Sequence, residues 1–134
     1  MSVIAQLCAG LAALILIAVF PLEAFLIERP RVQRFLGIES HGIANVHLWS
    51  FCLGVRNALA GVITLTGLWF VNFGDLATGT IVVVVGCCYM LLSSLAMGVA
   101  DLLGYWRPRG GSIKGTVASS TLPAIALLTL AVSA

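Results

Sequence analysis

The chain has 134 residues, of which 60% are hydrophobic and only 9% are charged, and its mean hydropathy is +1.11. A soluble domain averages about 45–50% apolar and about 25% charged residues, so this composition excludes an ordinary water-soluble domain. The formal net charge is +2, and the basic residues form small clusters without an extended basic face, which argues against nucleic-acid binding. The sequence therefore predicts an all-α polytopic membrane protein, with residues 1–134 forming a single domain.

Four apolar segments are each long enough to cross a hydrocarbon layer about 30 Å thick as a helix. We predict an up-down bundle of four transmembrane helices over residues 3–27, 46–71, 76–103 and 112–134. In the polar stretch 28–45, Pro30 and Gly37 suit the start and the end of a short helix. Val32, Phe35 and Leu36 keep i, i+3, i+4 spacing and would form the apolar face of this helix in the membrane interface, and an irregular basic loop is the alternative.

Two residues indicate how the connections between these helices are built. Asp75 follows a short turn and is placed to cap the third transmembrane helix. Gly104 is placed to end that helix, so the connection to the last helix covers residues 104–111.

The basic residues are concentrated on one side of this arrangement. Four spans put the loops 28–45 and 104–111 on one side and both termini on the other. Six basic residues on the loop side are expected to contact lipid headgroups: Arg29, Arg31, Arg34, Arg107, Arg109 and Lys114. Under the positive-inside rule, we predict that both loops are cytoplasmic and that both termini are outside.

Arg56 is the remaining basic residue, and it falls inside the second predicted transmembrane helix. A charged side chain within a span costs about 2.5–3.5 kcal/mol on insertion scales, so it is rarely left facing lipid. Glu23, Asp101 and His47 all lie towards the loop side, and Asn57 adds an amide that can form hydrogen bonds. We predict that these five residues form an intramembrane cluster or interface, with Arg56 about 12–18 Å into its helix.

Three interpretations of this cluster stay open. The groups can neutralise one another and hold the four helices together, or they can form an ion relay or a counter-charge for an anionic lipid headgroup. Alternatively, another subunit can satisfy Arg56. No catalytic, cofactor-binding or metal-binding residue is predicted. His41 and His47 lack partners at metal-ligand spacing, and Ser50 lies in no nucleophile elbow.

Several short motifs resemble those of a known family: Leu22-Glu23-x-Phe25, Pro30-Arg31, Gly37-Ile38, Gly54-x-x-Asn57 and Leu122-Pro123-Ala124. They resemble a family of small bacterial membrane proteins labelled domain of unknown function 1304. Its members read Leu-Glu-x-Phe, Pro-Arg, Phe-Gly-Leu, Asn-Gln-Gly-x-x-Asn-Gly and Leu-Pro-Ala at the same spacings. This chain departs where the family is most polar, with Cys52-Leu53 in place of Asn-Gln, Arg56 at an aromatic position and Ser120 in place of a glutamine. The resemblance implies four helices in a bacterial inner (plasma) membrane and supplies no reaction.

We expect a non-enzymatic accessory or stabilising subunit of a larger membrane complex, such as a lipid or solute transporter. Its partners would be membrane lipids and other integral membrane subunits, and no cofactor is predicted. The small-residue spacings Gly54-x-x-x-Ala58 and Ser94-x-x-x-Gly98 suit helix docking. A small oligomeric transporter or channel that uses the charged cluster is the alternative. An intramembrane lipid-modifying enzyme is a third hypothesis, which requires Ser50, His47 and an acid to converge.

Overall fold

A computed structural model describes residues 1–36, 43–105 and 109–132, except for the side chains of residues 43–45. The described chain forms α1 (Val3–Ala24), α2 (Pro30–Leu36), α3 (Ile43–Phe73), α4 (Leu76–Leu102) and α5 (Ile113–Val132). All of these helices except α2 are long and apolar enough to cross a membrane. The predictions of an all-α fold and of four membrane-spanning helices are confirmed. The expectations that concern Gly37, Ile38, His41 and Arg107 lie outside the described residues.

The four long helices form a ring in which each helix packs against two others. The packed pairs are α1–α3, α3–α4, α4–α5 and α5–α1. Two hydrogen bonds show that α1 and α3 are antiparallel. The amide of Asn72, near the end of α3, donates to Gln6 Oε1 near the start of α1 at 3.0 Å, and Asn57 donates to Glu23 Oε2 near the end of α1 at 2.9 Å. The helices therefore run up and down, and both connections of the loop side lie at one end of the bundle, called here the loop end.

Glycines bring α3 close to both of its neighbours in the ring. A Cβ atom on Gly61 would lie 2.7 Å from the backbone oxygen of Ala13 in α1. A Cβ atom on Gly86 of α4 would overlap the hydroxyl of Thr64, a fully buried residue of α3. Small residues let helix backbones approach closely, and dispersion contacts at such crossings are a main source of stability in a membrane. At these two crossings, α3 therefore lies in close contact with the helix on either side of it.

The two small-residue spacings that the sequence offered for docking lie inside the bundle. Gly54 is buried, and a Cβ atom there would be 3.2 Å from the Cβ atom of Glu23 in α1. Ser94 is 8% exposed, and a Cβ atom on Gly98 would be 3.2 Å from Thr116 Cγ2 in α5. Both spacings therefore form contacts between helices of this chain.

The segment after α1 differs from the sequence prediction. The helix ends at Ala24, three residues early, because the chain turns there and buries Ile27, which is 1% exposed. The short helix α2 begins at Pro30, as predicted. Its buried residues are Val32 and Gln33, whereas Phe35 is 71% exposed, and the position of α2 in the membrane interface stays a prediction. Gln33 is buried because its Nε2 donates to the backbone oxygen of Ile27 at 3.0 Å.

Both predicted boundaries of α4 are confirmed. The carboxylate of Asp75 accepts the backbone N–H of Thr78 at 2.7 Å and caps the helix. Hydrogen bonds from the side chain and from the backbone N–H of Thr78 lower the pKa of Asp75 from its ordinary value. At the other end, Gly104 adopts a φ of +82°, a conformation that favours glycine, and the helix stops there.

Candidate functional site

At the loop end, hydrogen bonds between polar groups join α1 to α3, and this group of contacts is called here a polar joint. Glu23 lies in the last turn of α1 and is half-buried. Its carboxylate accepts a hydrogen bond from Asn57 Nδ2 at 2.9 Å, and its backbone oxygen accepts the hydroxyl of Ser50 at 2.7 Å. The backbone oxygen is available because α1 ends here, and the last carbonyls of a helix have no partner within it. One helix end is thus joined to α3 by a side-chain amide and a hydroxyl.

Arg56 is adjacent to Asn57 in the chain, but it is exposed on the outer surface of α3. Within the described part of the chain, Arg56 makes no hydrogen bond and no ion pair. Because Asn57 contacts Glu23, Arg56 lies level with the end of α1. The predicted depth of about 12–18 Å was counted from the start of the second predicted span. Counted from the start of α3 at Ile43, Asn57 lies about 21 Å along the helix, and the depth of Arg56 in a membrane stays a prediction.

Asp101 forms a second polar joint, between α4 and the start of α5. One carboxylate oxygen accepts the backbone N–H of Gly110 at 2.8 Å. The other accepts both the backbone N–H and the hydroxyl of Ser112, at 2.9 and 2.8 Å. Asp101 and Ser112 are only 5% and 4% exposed. The negative charge also lies at the N-terminus of α5, where the helix dipole favours it. The chemistry of this carboxylate is therefore structural: it holds the connection between the last two helices.

His47 and Ser50 have separate partners. His47 Nδ1 lies 3.5 Å from the Glu28 carboxylate, and the two side chains are 42% and 69% exposed. The Ser50 hydroxyl donates to the backbone of Glu23 instead of to an imidazole. The hydrogen bond between Ser50 and His47 that a lipid-modifying enzyme would use is thus not among the contacts of the described residues.

The predicted five-residue cluster is divided in the structure. Glu23 and Asn57 are in contact, Asp101 binds the start of α5, His47 lies beside Glu28, and Arg56 faces outwards. The division has a physical reason. Each carboxylate finds backbone or side-chain donors at a nearby helix end, so neither depends on the guanidinium for a partner.

The predicted headgroup contacts share one end of the bundle. All of those that the structure describes are exposed at the loop end: Arg29, Arg31, Arg34, Arg109 and Lys114. Their contact with lipid headgroups stays a prediction.

Several polar contacts were not anticipated from the sequence. Ser112 holds Asp101, Gln33 caps the turn at Ile27, and Thr64 donates to the backbone of its own helix at 2.8 Å. Of these residues, only Ser112 carried a usable signal, because a serine just before a helix often caps it. Gln33 carried no such signal, because the turn that buries it is formed by tertiary packing.

These features define a small multi-pass helical protein with membrane-like spans, in which the carboxylates of Glu23 and Asp101 each help to join one helix to another. Residues 10–131 match the family described as "Protein of unknown function (DUF1304)", and the chain belongs to that family. The resemblance found in its short motifs is thereby confirmed. No curated protein and no solved structure matches the chain.

Proposed function

We propose that the protein is a non-enzymatic accessory or stabilising subunit of a larger membrane complex, such as a lipid or solute transporter. This proposal rests on the low burial of α5 within the bundle. Only 11% of its most apolar stretch is buried inside the bundle, against 22–28% for the other three spans. Two residues of α5, Pro123 and Ala126, are buried. Most of the surface of α5 is therefore free to pack against another membrane protein.

The outer face of α5 has the chemistry that helix packing in a membrane favours. Ala118, Thr121, Ile125 and Leu128 recur at helical spacing and are all exposed. The hydroxyl of Thr121 donates to the backbone oxygen of Val117 at 2.6 Å, so it needs no partner in lipid. Small and hydroxyl-bearing residues allow close approach of a second helix without leaving an unsatisfied polar group. We take this face as the docking surface for the larger partner.

The alternative of a small oligomeric transporter has less support. That hypothesis uses Glu23, Arg56 and Asp101 along a shared path, and these residues lie at separate places in the bundle. Close crossings at Gly61 and Gly86 also fill the contacts between the helices. A complex that consists of several copies of this chain alone would favour the transporter hypothesis instead.

The test is purification of the tagged, natively expressed protein in mild detergent, followed by mass spectrometry of the proteins that co-migrate. We expect a larger membrane protein in stoichiometric amount. Ala118→Trp should remove that partner, because the indole prevents close approach to α5. Ala18→Trp, the same change at an exposed position of α1, is the matched control and should retain the partner. A monodisperse lone chain, or equal behaviour of the two variants, would overturn the proposal.

The same proposal places the loop end in the cytoplasm of a bacterium with an inner membrane. The exposed basic residues at that end support this orientation under the positive-inside rule. An impermeant thiol reagent added outside spheroplasts should label Asp75→Cys and should leave Arg109→Cys unlabelled until the membrane is broken. The opposite pattern of labelling would reverse the orientation.

A further inference from the structure

The two hydrogen-bonded pairs between α1 and α3 give the depth of Arg56. The Gln6–Asn72 and Glu23–Asn57 pairs are separated by about 26 Å along α1 and about 22 Å along α3. A hydrocarbon layer is about 30 Å thick, so it extends only a few ångströms beyond these pairs in total. If the layer is centred on these pairs, Arg56, which adjoins the second pair, lies near the hydrocarbon boundary at the loop end.

The direction of α3 favours a guanidinium that reaches out of the hydrocarbon. In a helix, each Cα–Cβ bond tilts towards the N-terminus. The N-terminus of α3 is at the loop end, so the aliphatic stem of Arg56 can extend towards the headgroups and keep its charge near water. This placement is compatible with an outward arginine that has no protein partner in the described part of the chain.

The exposed residues along the face of α3 that carries Arg56 match the successive parts of a lipid molecule in a leaflet. Trp49, two helical turns closer to the loop end, is 71% exposed, as is typical of the aromatic belt. In the opposite direction, Leu59 and Ile63 are 56% and 51% exposed and continue the same face. An aromatic ring, a cation and an aliphatic strip thus follow one another from the headgroup level towards the bilayer centre.

We propose that Arg56 binds the phosphate of an anionic glycerophospholipid in the loop-end leaflet, with an acyl chain along Leu59 and Ile63. A guanidinium can bind phosphate oxygens through two parallel N–H donors, which gives both strength and geometry. The phosphate of a phospholipid lies just outside the hydrocarbon, at the depth that the extended Arg56 side chain reaches. The basic residues exposed at the same end favour an anionic over a zwitterionic lipid.

This site is independent of the docking surface on α5. In the ring, α3 packs against α1 and α4, and α5 packs against the same two helices, so α3 and α5 occupy opposite corners. An acidic residue of a partner helix is the competing occupant of Arg56. Its detection at this position would contradict the lipid proposal without removing the docking of a partner on α5.

Native mass spectrometry of the purified full chain tests the site directly. Titration with phosphatidylglycerol and with phosphatidylcholine should give tighter binding of phosphatidylglycerol. Arg56→Gln should weaken binding of phosphatidylglycerol by about tenfold, the effect of losing one charge-assisted contact. Arg56→Lys should weaken it less, because the charge is kept and the paired donors are lost. Arg109→Gln, which removes the same charge from the loop 104–111, is the matched comparison and should weaken binding less than Arg56→Gln does.

A second measurement does not depend on the folding of an Arg56 variant. A photoreactive residue in place of Leu59 should crosslink to lipid in native membranes, with more anionic lipid than the same residue in place of Leu14. Leu14 is a matched position on α1, since it is 54% exposed and Leu59 is 56% exposed. A protein adduct at position 59, equal lipid composition at the two positions, or unchanged binding by Arg56→Gln would overturn the proposal.

Discussion

The contact between Gly86 and Thr64 predicts a strong and specific response to one added methyl group. A Cβ atom on Gly86 would overlap Thr64 Oγ1 and lie 3.2 Å from Thr64 Cβ. Thr64 is fully buried, and its hydroxyl is held by the backbone oxygen of Ala60 at 2.8 Å, so it cannot easily move away. Overpacking of this kind costs about 1–3 kcal/mol. Replacement of glycine in a helix returns about 1 kcal/mol. Gly86→Ala should therefore lower the free energy of unfolding by up to about 2 kcal/mol.

A double-mutant cycle measured by reversible unfolding in mixed micelles checks this reasoning. Thr64→Ala removes the atom that Gly86→Ala meets, so the double variant should be at least about 1 kcal/mol more stable than the sum of the single effects. Gly10→Ala is the control, because its Cβ atom would be 3.4 Å from Leu68 Cδ1, an ordinary contact, and it should not destabilise the chain. Additive effects in the cycle, or equal effects of Gly86→Ala and Gly10→Ala, would refute the proposed overlap.

Three further predictions concern the polar contacts. Asp101→Ala should increase proteolysis of the connection before α5, and it should lower the unfolding temperature more than Ser112→Ala does. The reason is that Asp101→Ala removes three hydrogen bonds and Ser112→Ala removes two. Equal effects of the two variants would contradict the role of the carboxylate. Asn72→Ala should destabilise the bundle by only about 0.6 kcal/mol, the average for interhelical hydrogen bonds in membranes, and prior removal of the Gln6 amide should abolish the effect. The lowered pKa of Asp75 means that its stabilising contribution is full above the ordinary carboxyl pKa and is lost as pH falls through the lowered value. Asp75→Asn should therefore flatten the acid dependence of the unfolding temperature, and an unchanged pH profile would exclude this contribution.

The spans were predictable from the sequence because hydrophobic length alone determines them. Local signals were also sufficient at Pro30, Asp75 and Gly104, where a missing N–H, a capping carboxylate and a positive φ act within a few residues. The end of α1 was not predictable in this way. It depends on the burial of Ile27 and on the hydrogen bond from Gln33, both of which require the tertiary fold.

The candidate site shows the same limit more clearly. The sequence singled out Glu23, Arg56 and Asp101 correctly as charges within spans, but the pairing depends on rotation about each helix axis and on relative depth. Asn57 and Arg56 are neighbours in the chain, yet one faces Glu23 and the other faces outwards. A difference of one residue turns a side chain by about 100° around a helix, so charge counting cannot distinguish an internal ion pair from a surface cation.

The closure of the ring between α1 and α5 has a consequence for biosynthesis. The contact joins the first helix to the last one, so the bundle is complete only after the final span has entered the membrane. Until then, α1 presents residues that the finished bundle buries, among them Ala9 and Ala12, which share a core cluster with Ala126 of α5. Exposed small residues promote association with other helices in the bilayer. A chain that stalls before α5 would therefore be an intermediate that associates with other membrane helices. Rapid insertion of the last helix protects the nascent protein from such non-native association.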